Sequence, residues 1–195
     1  MTKEECRRYI RSLLAEPQAS YWDDSELDVY IEVAITNIVN EMWHMLAPVY
    51  NKTGYLDVEV GNQYIDLPDD CLKVLSIRIA GNKTKAFDYI PFGLDHIYEN
   101  YEFSGWKLEN NKIKLIPLPT ESVEDYLEIK YLPVFTFDNI PEVMKPLVAI
   151  EAVIQAKVKD ELVPQHLLLL KENFKRNLLT FLSAHQTQNV EVIPE

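Results

Sequence analysis

The hydrophobic pattern of this chain changes period twice, and nothing else in the sequence limits its fold as much. Up to residue 46 apolar residues recur at helical spacing. From about 55 to 133 they alternate one by one, and after Pro141 the helical spacing returns. A helix presents one face every 3.6 residues and a strand every two, so the pattern specifies an α+β chain. It predicts helices at 3–15, 24–46, 142–162 and 164–184 around a β-rich insertion at 55–133. The helical ends are expected to pack on each other, which makes the β region an insertion into a helical bundle. The expected organisation is a single domain, 1–185, followed by an extended C-terminal arm, 186–195.

The clearest helix signal lies in residues 20–46, SYWDDSELDVYIEVAITNIVNEMWHML. Asp23 with Glu26 three residues later reads as a capping box, and Trp22 with Leu27 as a hydrophobic staple. Asp24, Glu26 and Asp28 place negative charge at the positive end of the helix dipole. Leu27, Tyr30, Ile31, Ala34, Ile38, Met42, Met45 and Leu46 then form a core stripe, closed by Pro48. Val29, Val33 and Trp43 fall off that stripe. They are the candidates for a second buried surface, against another part of the chain or another copy of it.

The first helix, 3–15, is ended by Pro17 and turns Tyr9, Ile10, Leu13 and Leu14 inward. Lys3, Arg7 and Arg11 recur on another of its faces. They read either as a contact to an acidic partner or polyanion, or as a solvated face with Glu4–Arg8 pairing. In the β region, YLDVEV and QYIDLP read as a strand and its return about Gly61-Asn62. CLKVLSIRIAG is a further strand, with Leu75, Ile77 and Ile79 on one face. WKLENNKIKLIPLP is a hairpin about Asn110-Asn111, and DYLEIKYLP is the last strand. Short strands joined by turns predict a mostly antiparallel sheet. Residues 91–103 read as a short aromatic helix or a structured loop.

Asn139 and Glu142 are the expected caps of the third helix, with Pro146 in its first turn or kinking it. Val148, Ala149, Ala152, Val153 and Ala156 are its small-residue face. Leu167, Leu170, Phe174, Leu178 and Phe181 are the main stripe of the fourth, widened by Leu168, Leu169, Leu179 and Leu182. The last residues carry Val190, Val192 and Ile193. Such an end either frays or serves as an arm that pairs with a neighbour's sheet edge or fills a groove.

No catalytic fingerprint accompanies this pattern. The chain has 195 residues and 5 glycines, and no Gly-rich phosphate loop is written in it. Its net charge of −12 opposes general binding to nucleic acid. MTKEECRRYIRSLL has no apolar core of a signal peptide, and no apolar run reaches the length of a membrane span. The histidines at 44, 96, 166 and 185 and the cysteines at 6 and 71 show no zinc or nucleophile spacing. Two lone cysteines suggest a reducing compartment, and nothing supports a disulfide between them. Asp69-Asp70 is either half of a metal site or, after Leu67-Pro68, a Pro-initiated turn. Glu121, Glu124, Asp125 and Glu128 read as solvated. The aromatics Phe87, Tyr89, Phe92, Tyr98, Tyr101, Phe103 and Trp106 have no basic residues interleaved among them, so they read as core or interface rather than as a base-stacking surface.

Taken in order, YWDDSELDVYIEVAITNIV, QYIDLPDDCLKVLSIRIAG, NNKIKLIPLP with DYLEIKYLPVF, and IPEVMKPLVAIEAVIQAKVKDEL resemble the head-to-tail adaptor proteins of tailed bacteriophages. These are also called connector, head-completion or tail accessory proteins. The similarity covers most of residues 5–185. It implies a helical bundle with a β-rich insertion and no enzymatic activity, cofactor or metal. It further implies a homo-oligomeric ring, commonly twelvefold, under the portal protein at the capsid–tail junction of the virion. Such a ring is assembled in the host cytoplasm, extends the DNA channel and receives the tail or the next adaptor ring. DNA passes through without sequence-specific binding, and an acidic channel wall lets it slide. Under this resemblance Val29, Val33 and Trp43 belong to the subunit interface, and Val190, Val192 and Ile193 to a portal-binding arm. The competing readings are another tail ring or stopper, a small enzyme with a cryptic carboxylate or Cys/His site, and a DNA-binding module that uses Lys3, Arg7 and Arg11.

Overall fold

The computed structural model describes residues 1–16, 21–81, 87–91, 94, 105–159 and 164–188, and it is α+β. The contacts divide the chain into two compact units. Met1–Val49 with Phe135–Glu195 is helical, and Tyr50–Val134 is β-rich.

Helix α1 (Lys3–Leu13) opens on a complete capping box, in which Glu5 N donates to Thr2 Oγ1 and Thr2 N to Glu5 Oε2. It ends before Pro17. Glu16 N bonds Arg11 O and Ala15 N bonds Ser12 O, a Schellman closure with Ala15 at φ 59°. The closure ends the helix first, so proline is not the stop. Cys6, Ile10 and Leu14 are its buried side.

Helix α2 (Asp24–Tyr50) begins as the sequence predicts. Asp23 Oδ1 accepts from Glu26 N at 2.7 Å, and Trp22 is buried just before this cap with its ring edge-on to Tyr30. Leu27, Ile31, Ala34, Ile38, Met42 and Leu46 are buried, and so are Ile35 and Val39, which widen the expected stripe. Pro48 does not close the helix. It sits in the last turn, where its fixed φ is helical, and the helix runs on to Tyr50.

A 3-10 turn (Glu142–Met144) leads into α3 (Lys145–Lys159), with Pro146 in the first turn. Asn139 is not its cap, because its Oδ1 accepts from Thr136 N. Leu147, Val148, Ala149, Ile150, Ala152, Val153, Ile154 and Ala156 are all buried, so α3 is enclosed on every side over residues 147–154, while Val158 near its end is exposed. Helix α4 (Gln165–Gln188) continues past residue 184 into what the sequence reads as the arm. Leu167, Leu178 and Leu182 are buried, whereas Leu168 and Leu169 are exposed and do not widen the stripe.

The β unit holds two sheets. Strands β1 (Lys52–Val58) and β3 (Cys71–Ile79) flank β7 (Val123–Pro133), both antiparallel. The second sheet has the order β2 (Tyr64–Asp66), β6 (Lys112–Ile116), β5 (Gly105–Glu109), β4 (Asp88–Tyr89), with β4–β5 its one parallel pair. The expected hairpin of YLDVEV with QYIDLP does not form. β1 pairs with β7 and β2 with β6, because the long last strand offers β1 a partner over its whole length. The Asn110-Asn111 hairpin does form, with φ of 52° and 60°. Ile77, Leu127 and Ile129 of the first sheet pack against Trp106, Ile113 and Leu115 of the second.

Two substitutions test these local accounts. A Cβ on Gly105 would lie 2.6 Å from the Ile90 side chain and 2.8 Å from the Asp88 carbonyl. Gly105→Ala should therefore lower the unfolding free energy by about 1–3 kcal/mol in urea titration. Ala15→Gly should raise it by about 1 kcal/mol at most, since glycine adopts φ 59° without the Cβ clash.

Candidate functional site

Helix α2 has four sides, and three are committed within its own unit. One is the core stripe. On the second, α1 lies alongside through a row of ion pairs. Arg7 holds Asp28 with two parallel bonds, Nε to Oδ1 and Nη2 to Oδ2, each 2.7 Å. Arg11, only 6% exposed, reaches Asp24 at 2.8 Å, and Lys3 lies 3.4 Å from Asp28 and 3.5 Å from Glu32. On the third side Glu41 pairs with Lys175 and, at 4.0 Å, with Lys171 of α4. Lys171 also lies 3.0 Å from the buried Glu151 of α3, whose Oε1 accepts from Gln155 and, at 3.4 Å, from Asn37 of α2.

The fourth side is exposed. Val29, Val33, Thr36, Asn40 and Trp43 follow one another at spacings of four, three, four and three, the seam spacing of packed helices. Val29 is 60% exposed, Val33 40% and Trp43 36%. The stripe is about 21 Å long at 1.5 Å per residue and carries no charge. The three residues singled out in the sequence therefore share one face, opposite the core stripe; Val29 and Val33 are exposed there, and Trp43 is partly exposed with its ring edge-on to His44.

The basic face of α1 needs correction. Lys3, Arg7 and Arg11 do not form an open site for a polyanion, because α2 consumes them. The expected Glu4–Arg8 pair exists at 3.6 Å on the solvent side. The signal for the ionic row was present in the sequence. Lys3, Arg7 and Arg11 repeat every four residues, as do Asp24, Asp28 and Glu32, and the two sets meet in antiparallel order. Val190, Val192 and Ile193 lie outside the described residues.

Chemistry elsewhere is sparse. Cys6 and Cys71 are both free thiols. Burial pushes Cys6 up to about 12. Cys71 is also raised, first by burial and then by the Asp70 charge, which holds it as the unreactive thiol. It borders a groove of about 320 Å³ with Asp66 and Asp69, while His96 lies outside the described residues. Asp69-Asp70 forms the expected turn, closed by Cys71 N to Pro68 O. Asp70 is engaged by Lys52 and by the Tyr131 hydroxyl, and the Lys52 bond holds its carboxyl below the ordinary range. Among the described residues no three His, Cys, Asp or Glu side chains gather as metal ligands. Glu121, Glu124 and Asp125 are exposed as expected, but Glu128 is half-buried and paired with Arg78 at 2.7 Å. Of the aromatic stretch, Trp106 is core and donates to Phe87 O, and Tyr89 is exposed edge-on to it. Phe92, Tyr98, Tyr101 and Phe103 lie outside the described residues.

No family model matches the chain, and no curated protein matches it. Among the described residues, no helix is long and apolar enough to cross a membrane.

The ionic row makes a pH prediction. The Arg7 hydrogen bonds hold the Asp28 carboxyl below its ordinary value of 3.8. Its stabilisation is thus complete above the unfolded value and is lost as the pH falls through the folded one. In urea titrations Asp28→Asn should be less stable than wild type by roughly 1 kcal/mol at pH 7, with the gap closing below about pH 4. A gap that stays constant down to pH 2 would show that the carboxylate charge contributes nothing.

Proposed function

We propose that this chain is a non-enzymatic structural protein of a tailed bacteriophage. It forms a ring under the portal that joins capsid to tail and extends the DNA channel. The observation that carries the reading is the exposed stripe of α2. A helix whose other three sides are fixed within its unit presents an uncharged, partly apolar seam, and such a seam is made to be covered. In a ring each copy covers part of its neighbour with a different surface, so one stripe per chain is the expected pattern. The organisation of the chain agrees with the resemblance. N- and C-terminal segments make a helical unit, and a mostly antiparallel β-rich unit is inserted between them. The reading places the protein in the virion, at the capsid–tail junction.

The test is the native mass of the purified protein, alone and mixed with the portal ring from the same genome. A complex with many copies per portal is expected, and Val33→Asp with Trp43→Ala should abolish it while leaving the circular dichroism of the chain unchanged. A chain that stays monomeric and ignores the portal over a range of salts overturns the reading. Assembly on a tail tube component instead of the portal moves the protein to a tail ring or stopper.

A further inference from the structure

We infer that the α2 stripe of one copy docks on the outer face of α4 in the next copy, with the two helices antiparallel. This inference rests on the ring reading and names the two halves of its contact.

Charge makes the first selection. Each copy carries −12, so two copies repel unless the meeting surfaces are locally neutral. The α2 stripe meets that condition by construction. It is uncharged from Val29 to Trp43, and of the acids beside it Asp24, Asp28, Glu32 and Glu41 are paired with bases of the same chain, while Glu26, one turn before Val29, accepts from the Tyr30 hydroxyl.

The outer face of α4 meets it too. Leu169, Asn173, Arg176, Thr180 and Ser183 are all exposed and follow the same four, three, four, three spacing. The one charge on that row is positive. Glu172, one turn before Arg176, offsets it from the side. Leu169 is 61% exposed and Leu168 beside it 45%, so this face also leaves apolar area to be covered.

The direction follows from the side chains. Both stripes span about 21 Å. Laid antiparallel, Trp43 meets Leu168 and Leu169, Asn40 meets Asn173, and Arg176 comes beside Glu32, whose side chain is half exposed. Laid parallel, Trp43 would meet Ser183 and both leucines would sit at the opposite end, against Val29. The antiparallel setting puts the largest exposed apolar side chain of one stripe on the two exposed leucines of the other. Two α2 helices from different copies make a poorer pair. The acids beside its stripe are already compensated within the chain, so a second α2 offers no complementary charge, whereas α4 offers Arg176. A two-fold pair would also close on itself and leave no second surface to extend a ring.

Cysteine cross-linking of the assembled protein, on the portal where the portal is needed, reads the contact directly. In a Cys6→Ser, Cys71→Ser background, Trp43→Cys with Leu169→Cys should give a ladder of disulfide-linked oligomers on oxidation. Either cysteine alone should give monomer. Leu169→Asp should weaken self-association by about tenfold or more with an unchanged thermal melt, because the position is exposed in the single chain. Three outcomes overturn the inference. The first is a dimer from Thr36→Cys alone, which marks a two-fold α2 pair. The second is a ladder from Trp43→Cys with Ser183→Cys but not with Leu169→Cys, which marks the parallel setting. The third is full-sized assembly by Leu169→Asp, which frees α4 of any role and leaves the ring reading intact. Absence of every oligomer, with and without the portal, overturns both readings together.

Discussion

Over residues 147–154 helix α3 is buried on every side, and the helical unit is organised around that constraint. A helix buried all round must be enclosed, and one neighbouring helix covers only part of its circumference. The chain supplies α1 and α2 from before the β unit and α4 from after it. α1 and α4 both pack on α3. The enclosure contains one carboxylate, Glu151, 4% exposed. Asn37 of α2, Gln155 of α3 and Lys171 of α4 converge on it, so three helices register on a single buried charge. A buried carboxylate is costly when left unpartnered, and here Oε1 accepts from Gln155 and Asn37 while Oε2 is held by the Lys171 charge alone.

The same economy of charge shapes the outside of the unit. Most of the basic residues of α1 and α4 are placed where they neutralise acids of α2. The α1 row is thereby engaged within the chain, with Arg11 buried and Lys3 and Arg7 only partly exposed. The result is a helix whose borders are compensated and whose outer stripe is neutral, on a chain that is strongly acidic elsewhere. The pairs that fix α1 and α4 to α2 also compensate the acids that flank its outer stripe.

Helix positions were legible in the sequence because their causes are local. The Asp23 cap, the Leu27–Leu46 stripe, the small-residue face of α3 and the Asn110-Asn111 hairpin each depend on residues a few positions apart. The errors came where a distant partner competed with a local signal. Gly61-Asn62 marks a turn, yet β1 prefers the long β7 to the three-residue β2. Pro48 reads as a stop, yet its ring fits the last helical turn. Leu168 and Leu169 read as core, yet α4 buries Leu167, Leu178 and Leu182 and leaves these two exposed. The off-stripe character of Val29, Val33 and Trp43 was visible from periodicity alone. That they lie on one continuous exposed row with Thr36 and Asn40 was not stated by apolar residues only.

By itself the sequence determined the α+β class, the four helices, the position of the β insertion and the lack of a written catalytic fingerprint. These follow from periodicity, capping and composition, which act within a few turns of chain. Only the tertiary structure decided which charges are spent and which faces stay open. Whether Lys3, Arg7 and Arg11 meet a partner or meet Asp24, Asp28 and Glu32 depends on how two helices cross, and helical spacing alone does not encode the partner. The same holds for the sheets, where a strand's pattern specifies the face it buries but leaves open the strand it pairs with.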